Sequence, residues 1–146
     1  MRRLIAPAVS ALALVLAGCA GARSGAGFRL PDGDPAAGKL AFESLKCHQC
    51  HRVHGVDFPA PSAHPPVPVV LGGDVPHVKT DGELLTSIVN PSHRISGAYK
   101  PEEVRLPDGS SRMPDMTDAM TVHQLVDIVA FLQTRYTVVR PGEGVR

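Results

Sequence analysis

Cys47-His48-Gln49-Cys50-His51 decides the reading of this chain. Two cysteines separated by two residues, with a histidine directly after the second, form the attachment pattern of a c-type haem. Each thiol can add to one vinyl group of the porphyrin, and the adjacent imidazole is then placed to ligate the iron from the proximal face. Cys47 and Cys50 are the candidate covalent anchors and His51 the candidate proximal ligand. Two other uses of such a string weigh against this one. A zinc knuckle would draw on Cys47, Cys50 and either His51 or His54, but structural zinc wants a second ligand pair at regular spacing. No cysteine follows Cys50, and His64, His77, His93 and His123 form no such pair. A redox dithiol belongs beside a strand–helix–strand pattern, which the flanks do not show.

The rest of the 146 residues agrees with a cofactor-centred domain. Aromatic residues make up 4% and Trp is absent, so side chains alone offer a thin core that a buried porphyrin would complete. A net charge of +1 advertises no nucleic acid partner. Of the three cysteines, Cys19 stands apart in a different context. Arg2 and Arg3 precede an apolar run over residues 4–17, the layout of an export signal and too short for a comfortable membrane span. The run ends in Leu16-Ala17-Gly18-Cys19, which resembles the bacterial lipobox. That resemblance implies cleavage before Cys19 and lipid modification of it, making Cys19 a membrane anchor. Residue 20 is Ala rather than the aspartate linked with inner-membrane retention in some bacteria, which points to the outer membrane. Residues 19–33 are rich in Gly, Ala and Ser and read as a tether.

From residue 34 the pattern becomes helical. Asp34 suits an N-cap and Pro35 the first helical position. Ala37, Leu40, Ala41 and Leu45 then keep one apolar face, so the spacing predicts a helix running into Cys47. Gly38 inside it costs about 1 kcal/mol relative to Ala and permits close approach of another backbone. Residues 53–78 carry six prolines and read as loop, with His54, His64 and His77 solvated. Thr80 and Glu83 have the spacing of a capping box, and Leu84, Leu85, Ile88 and Val89 continue a helix that Asn90-Pro91 ends. Residues 92–107 read as irregular, with His93, Arg94, Tyr99, Lys100 and Arg105 as candidates to meet haem propionates. Thr121 and Gln124 form a second capping box ahead of Leu125, Ile128, Val129, Leu132 and Tyr136, the longest expected helix. Residues 138–146 form a tail closed by Pro141-Gly142.

A distal ligand remains to be found. A thioether is a soft, neutral ligand that favours reduced iron. Met113, Met116 and Met120 are candidates, and Met113 is favoured because Pro114 would fix the backbone beside it.

Helix, C-x-x-C-H, proline-containing loop, middle helix, Met-Pro and terminal helix follow in that order over residues 34–136, which resembles the class I cytochrome c family. The resemblance implies an all-α fold wrapped around one covalent haem c, with Gly38, Phe42 and Phe131 at the crossing of the first and last helices. It also implies a proline carbonyl that accepts the proximal histidine's ring N–H. Pro68, ahead of Leu71-Gly72, is the candidate, with Pro66 as runner-up, although Val67 stands where the family has Gly and the loop before it is long. The expected domains are a signal over 1–18, a tether over 19–33, the haem domain over 34–137 and a tail over 138–146. The expected function is one-electron transfer between redox partners on the periplasmic face of a bacterial membrane, not catalysis. The rivals are an accessory haem subunit of an oxidoreductase and an open-site haem protein that binds a small gas.

Overall fold

Asp34 starts the first helix as its position suggests. In the computed structural model, which describes residues 29–62 and 67–139, its carboxylate accepts from the Ala36 and Ala37 N–H groups at 2.7 and 3.3 Å. Pro35 then opens helix α1 (Pro35–Ser44). The helix stops short of the expected Cys47. Leu45 and Lys46 close its last carbonyls, and Lys46 takes a left-handed φ of 63°. That reversal, costly for a residue with a Cβ, turns the chain into a 3₁₀ turn over Cys47–Gln49.

Both capping boxes form. The Thr80 hydroxyl accepts the Glu83 N–H at 3.2 Å while the Glu83 carboxylate accepts the Thr80 N–H at 3.0 Å, starting α2 (Asp81–Val89). Thr121 and Gln124 repeat the exchange at 3.1 and 2.9 Å ahead of α4 (Val122–Gln133). Between them lies a short helix, α3 (Pro101–Val104), inside the stretch expected to be irregular. Its signal was present: Pro101 at the first position and Glu103 at the third, whose carboxylate accepts the Lys100 N–H at 2.9 Å.

The fold is helical but not all-α. Strand β1 (His51–Val53) pairs in parallel with β2 (Val69–Leu71), and β3 (Gly73–Val75) pairs in parallel with β4 (Tyr136–Val138). The first pair places His51 opposite Val69 and Val53 opposite Leu71. The second takes Tyr136, expected at the end of the last helix, out of α4 altogether. Three-residue strands carry too little periodicity to be read from a proline-rich stretch. Gly72, with φ 85°, separates β2 from β3, and a Cβ there would meet the Arg135 carbonyl oxygen at 2.9 Å.

The core sits where α1 crosses α4. A Cβ at Gly38 would run into the Asp127 carbonyl oxygen and the Phe131 Cβ, so the crossing exists only because that position is glycine. Phe42 and Phe131 meet beside it at 5.9 Å, edge to face, over Ile128 and Val129, which are 2% and 1% exposed. Burying each such side chain contributes roughly 1.5–3 kcal/mol. One carboxylate is buried among them: Asp127 accepts the Asp34 N–H at 2.9 Å and lies 3.3 Å from His123 Nε2. Among the described residues no helix is long and apolar enough to cross a membrane. The signal over 1–18, Cys19, most of the tether, His64, Pro66 and residues 140–146 lie outside the described residues.

Candidate functional site

A cavity of about 870 Å³ opens beside the helix crossing. Phe42 and Leu45 from the α1 side, Ile128 and Leu132 from α4, and Leu84 and Ile88 from α2 give it apolar walls. Cys47 and His51 enter from one side, and Met113, Met116 and Met120 from the segment ahead of α4. Residues 62 or more positions apart in sequence therefore share one chamber. The three methionines differ in their second allegiance. Met120 packs against the hydrophobic core, whereas Met113 and Met116 do not. The Met113 N–H is held by the Ser111 hydroxyl at 3.1 Å.

Cys50 is exposed and lines a neighbouring groove of about 690 Å³, which His51 also borders. Its N–H donates to the Cys47 carbonyl at 3.1 Å, so one turn carries both cysteines. Burial pushes the Cys47 thiol up to about 11, with Cys50 adding to the shift, so Cys47 is a neutral thiol near pH 7. Burial also lowers the His51 pKa, opposed by the Val69 backbone. A neutral imidazole is the form that ligates iron. Among the described residues no group of three or more His, Cys, Asp and Glu converges as a metal cage.

The hydrogen bond expected from His51 to the Pro68 carbonyl is not formed. The backbone group that acts on the His51 ring is that of Val69, too loosely placed to make a hydrogen bond with the buried Nδ1, and Pro68 lines the groove with Cys50 rather than the main cavity. Strand register supplies the reason. His51 stands opposite Val69, so the backbone nearest its ring belongs to the residue after the proline.

Polar and basic side chains complete the lining of the cavity. Of the five residues considered for the propionates, His93, Arg94 and Tyr99 line it and Lys100 and Arg105 do not; the Arg105 guanidinium donates to the Gly109 carbonyl instead. His77 and Lys79 also line it, and His77 is solvent-exposed as expected. The Tyr99 hydroxyl accepts the Val70 N–H at 2.9 Å and ties this rim to β2. Phe58 was missed altogether: it packs on Phe42 at 5.3 Å and stacks with His48 at 5.9 Å. A lone aromatic in a proline-rich loop carries no periodicity that would betray it.

The donor set fits a haem. A largely apolar lining, a buried imidazole, a thiol that borders the same space and thioethers from another segment are the groups that a covalently held haem needs. No curated protein and no solved structure gives a significant match to this chain. A family model for cytochrome c matches residues 35–135, from the first residue of α1 past the last of α4. With that span enclosing the helix crossing, the C-x-x-C-H turn and the chamber between them, the chain belongs to the cytochrome c family, and its cofactor is covalently attached haem c with its iron.

Proposed function

We propose that this chain is a single-haem electron carrier tethered to a membrane. Haem-based electron transfer follows from the family; the residue roles and the setting are the further step. Cys47 and Cys50 carry the two thioether links, His51 ligates the iron on the proximal side and Met113 on the distal side. When bound, haem c supplies a one-electron Fe(II)/Fe(III) couple. The protein's part is to bind it, keep its face dry and hold the two axial donors. With both axial positions filled no site remains for a substrate, which makes the chain a carrier rather than a catalyst. The observation that supports this reading is the one cavity, walled largely by apolar side chains, that Cys47, His51 and Met113 all line. Met113 is preferred to Met120, which serves the core, and to Met116 for its neighbouring Pro114.

The lipobox-like end of the leader carries the setting: a signal over 1–18, a lipid on Cys19 and a tether to residue 33 put the haem domain on the periplasmic face, with the outer membrane favoured by Ala20. Redox proteins are the expected partners there.

The test is an optical spectrum of the mature protein beside Met113→Ala. A covalent haem whose oxidised form shows the weak far-red band of methionine–iron coordination, lost in Met113→Ala and kept in Met116→Ala, is the expected outcome. A covalent haem without that band, binding carbon monoxide rapidly, would replace the carrier with an open-site haem protein.

A further inference from the structure

Haem attachment uses Cys47, Cys50 and His51 and leaves His48 and Gln49 unexplained, yet neither is idle. His48 is only 8% exposed. Its ring stacks on Phe58 at 5.9 Å with the planes 17° apart. Phe58 in turn packs on Phe42 at 5.3 Å and edge-on to Phe131 at 6.3 Å, and the Lys39 ammonium lies 5.7 Å from its centroid. Gln49 reaches the far end of the same loop. Its Oε1 accepts the Ser62 N–H at 2.6 Å and lies 2.9 Å from the Ser62 hydroxyl.

These contacts decide a proton. A backbone N–H only donates, so the amide end facing Ser62 is the oxygen and the end facing His48 is the NH₂ group. Gln49 Nε2 lies 2.8 Å from His48 Nε2. That imidazole nitrogen therefore accepts, and the ring proton sits on Nδ1, which is buried without a hydrogen-bond partner. His48 is held as one tautomer.

The geometry points to a clamp. His48 and Gln49 bind the turn between the cysteines to the 54–62 loop, through Phe58 at one end and Ser62 at the other, and so act as positioning residues for His51. Both line the groove beside the turn, and neither lines the cavity that takes the haem. Whatever they do to the iron passes through the Cys47–His51 segment. The orientation of a ligating histidine tunes its metal, and His51 lies two residues beyond Gln49 in the clamped segment. The inference rests on His51 being the proximal ligand.

The experiment uses the haem-loaded chain and two variants. Gln49→Ala keeps the His48–Phe58 stack and removes the tie to Ser62. His48→Phe keeps a stacked ring and removes the nitrogen that accepts from Gln49. Long-range ¹H–¹⁵N spectra of the wild type should show His48 protonated at Nδ1. Each variant should speed amide exchange at Cys50 about three- to tenfold, the worth of one hydrogen bond, and shift the oxidised-to-reduced equilibrium constant by more than about twofold. An Nε2-protonated His48 in the wild type would overturn the clamp. So would exchange and redox constants that stay within about twofold in whichever variant folds, given the size of that bond. A wild-type spectrum without imidazole ligation would sink the His51 assignment and the clamp with it. Imidazole ligation with silent variants would sink the clamp alone.

Discussion

The wall of the cavity that carries His51 is closed by a helix crossing, a strand pair and stacked rings, whereas the wall that carries Met113 is closed by short local turns. On the first, Phe42, Val53 and Phe131 are each 3% exposed or less, and the contacts join residues far apart in sequence. On the second, Val104 alone is buried between residues 90 and 121. There, Asp108 holds the Ser110 N–H and hydroxyl at 2.9 and 2.6 Å, and Asp115 holds those of Thr117 at 2.8 and 2.7 Å. Longer ties are few: the Ser111 N–H donates to the Ser92 hydroxyl at 3.0 Å. Segments with few buried apolar contacts open at low free energy. His51 is thus held by the fold, and Met113 by turns that an iron–sulfur bond of the proposed ligation would reinforce.

Gly38→Ala would break the first wall most severely. The added methyl gains about 1 kcal/mol of helix propensity but meets the Asp127 carbonyl, and overpacking against a backbone should cost about 3 kcal/mol or more. Denaturant unfolding of the haem-loaded protein reads the loss. A midpoint unchanged from wild type would mean that the helices do not cross there.

Asp127→Ala probes the same wall less drastically. It leaves the Asp34 N–H without its acceptor, at a cost of about 1–3 kcal/mol. His123→Ala, whose side chain is 88% exposed, should cost under about 0.5 kcal/mol. Equal losses from both variants would make the ion pair, not the backbone hydrogen bond, the feature that matters.

Acid should part the two walls by the smallest effect. Hydroxyl and backbone donors of Ser110 and Thr117 hold the Asp108 and Asp115 carboxyls below their ordinary value of 3.8. Groups with a depressed folded pKa add stability above the unfolded value and lose it as pH falls through the folded one. Below about pH 4 the Met113 band should therefore fade before the far-ultraviolet signal of the helices does. Coincident loss would place both walls in one cooperative unit.

Legibility followed the range of the interactions. Asp34-Pro35, Thr80–Glu83 and Thr121–Gln124 were readable because a cap is satisfied within three residues of its own chain. Gly38, Phe42 and Phe131 were placed by resemblance, and the crossing bears them out. The failures lie where distant strands meet. Pro68 is the expected carbonyl partner of His51, whereas the backbone that acts on the ring is that of Val69, set opposite His51 by strand register. Tyr136 continued an apolar period and yet left α4 for β4.

The sequence by itself determined the cofactor chemistry, because two thiols and an imidazole in five residues need no fold to declare themselves. It also determined where three helices begin, because capping is local. Only the tertiary structure decided that Cys47, His51 and three methionines share one chamber, that Met120 serves the core, and that His48 is buried under Phe58. Those facts depend on which distant surfaces exclude water together, and no short stretch of chain carries that information.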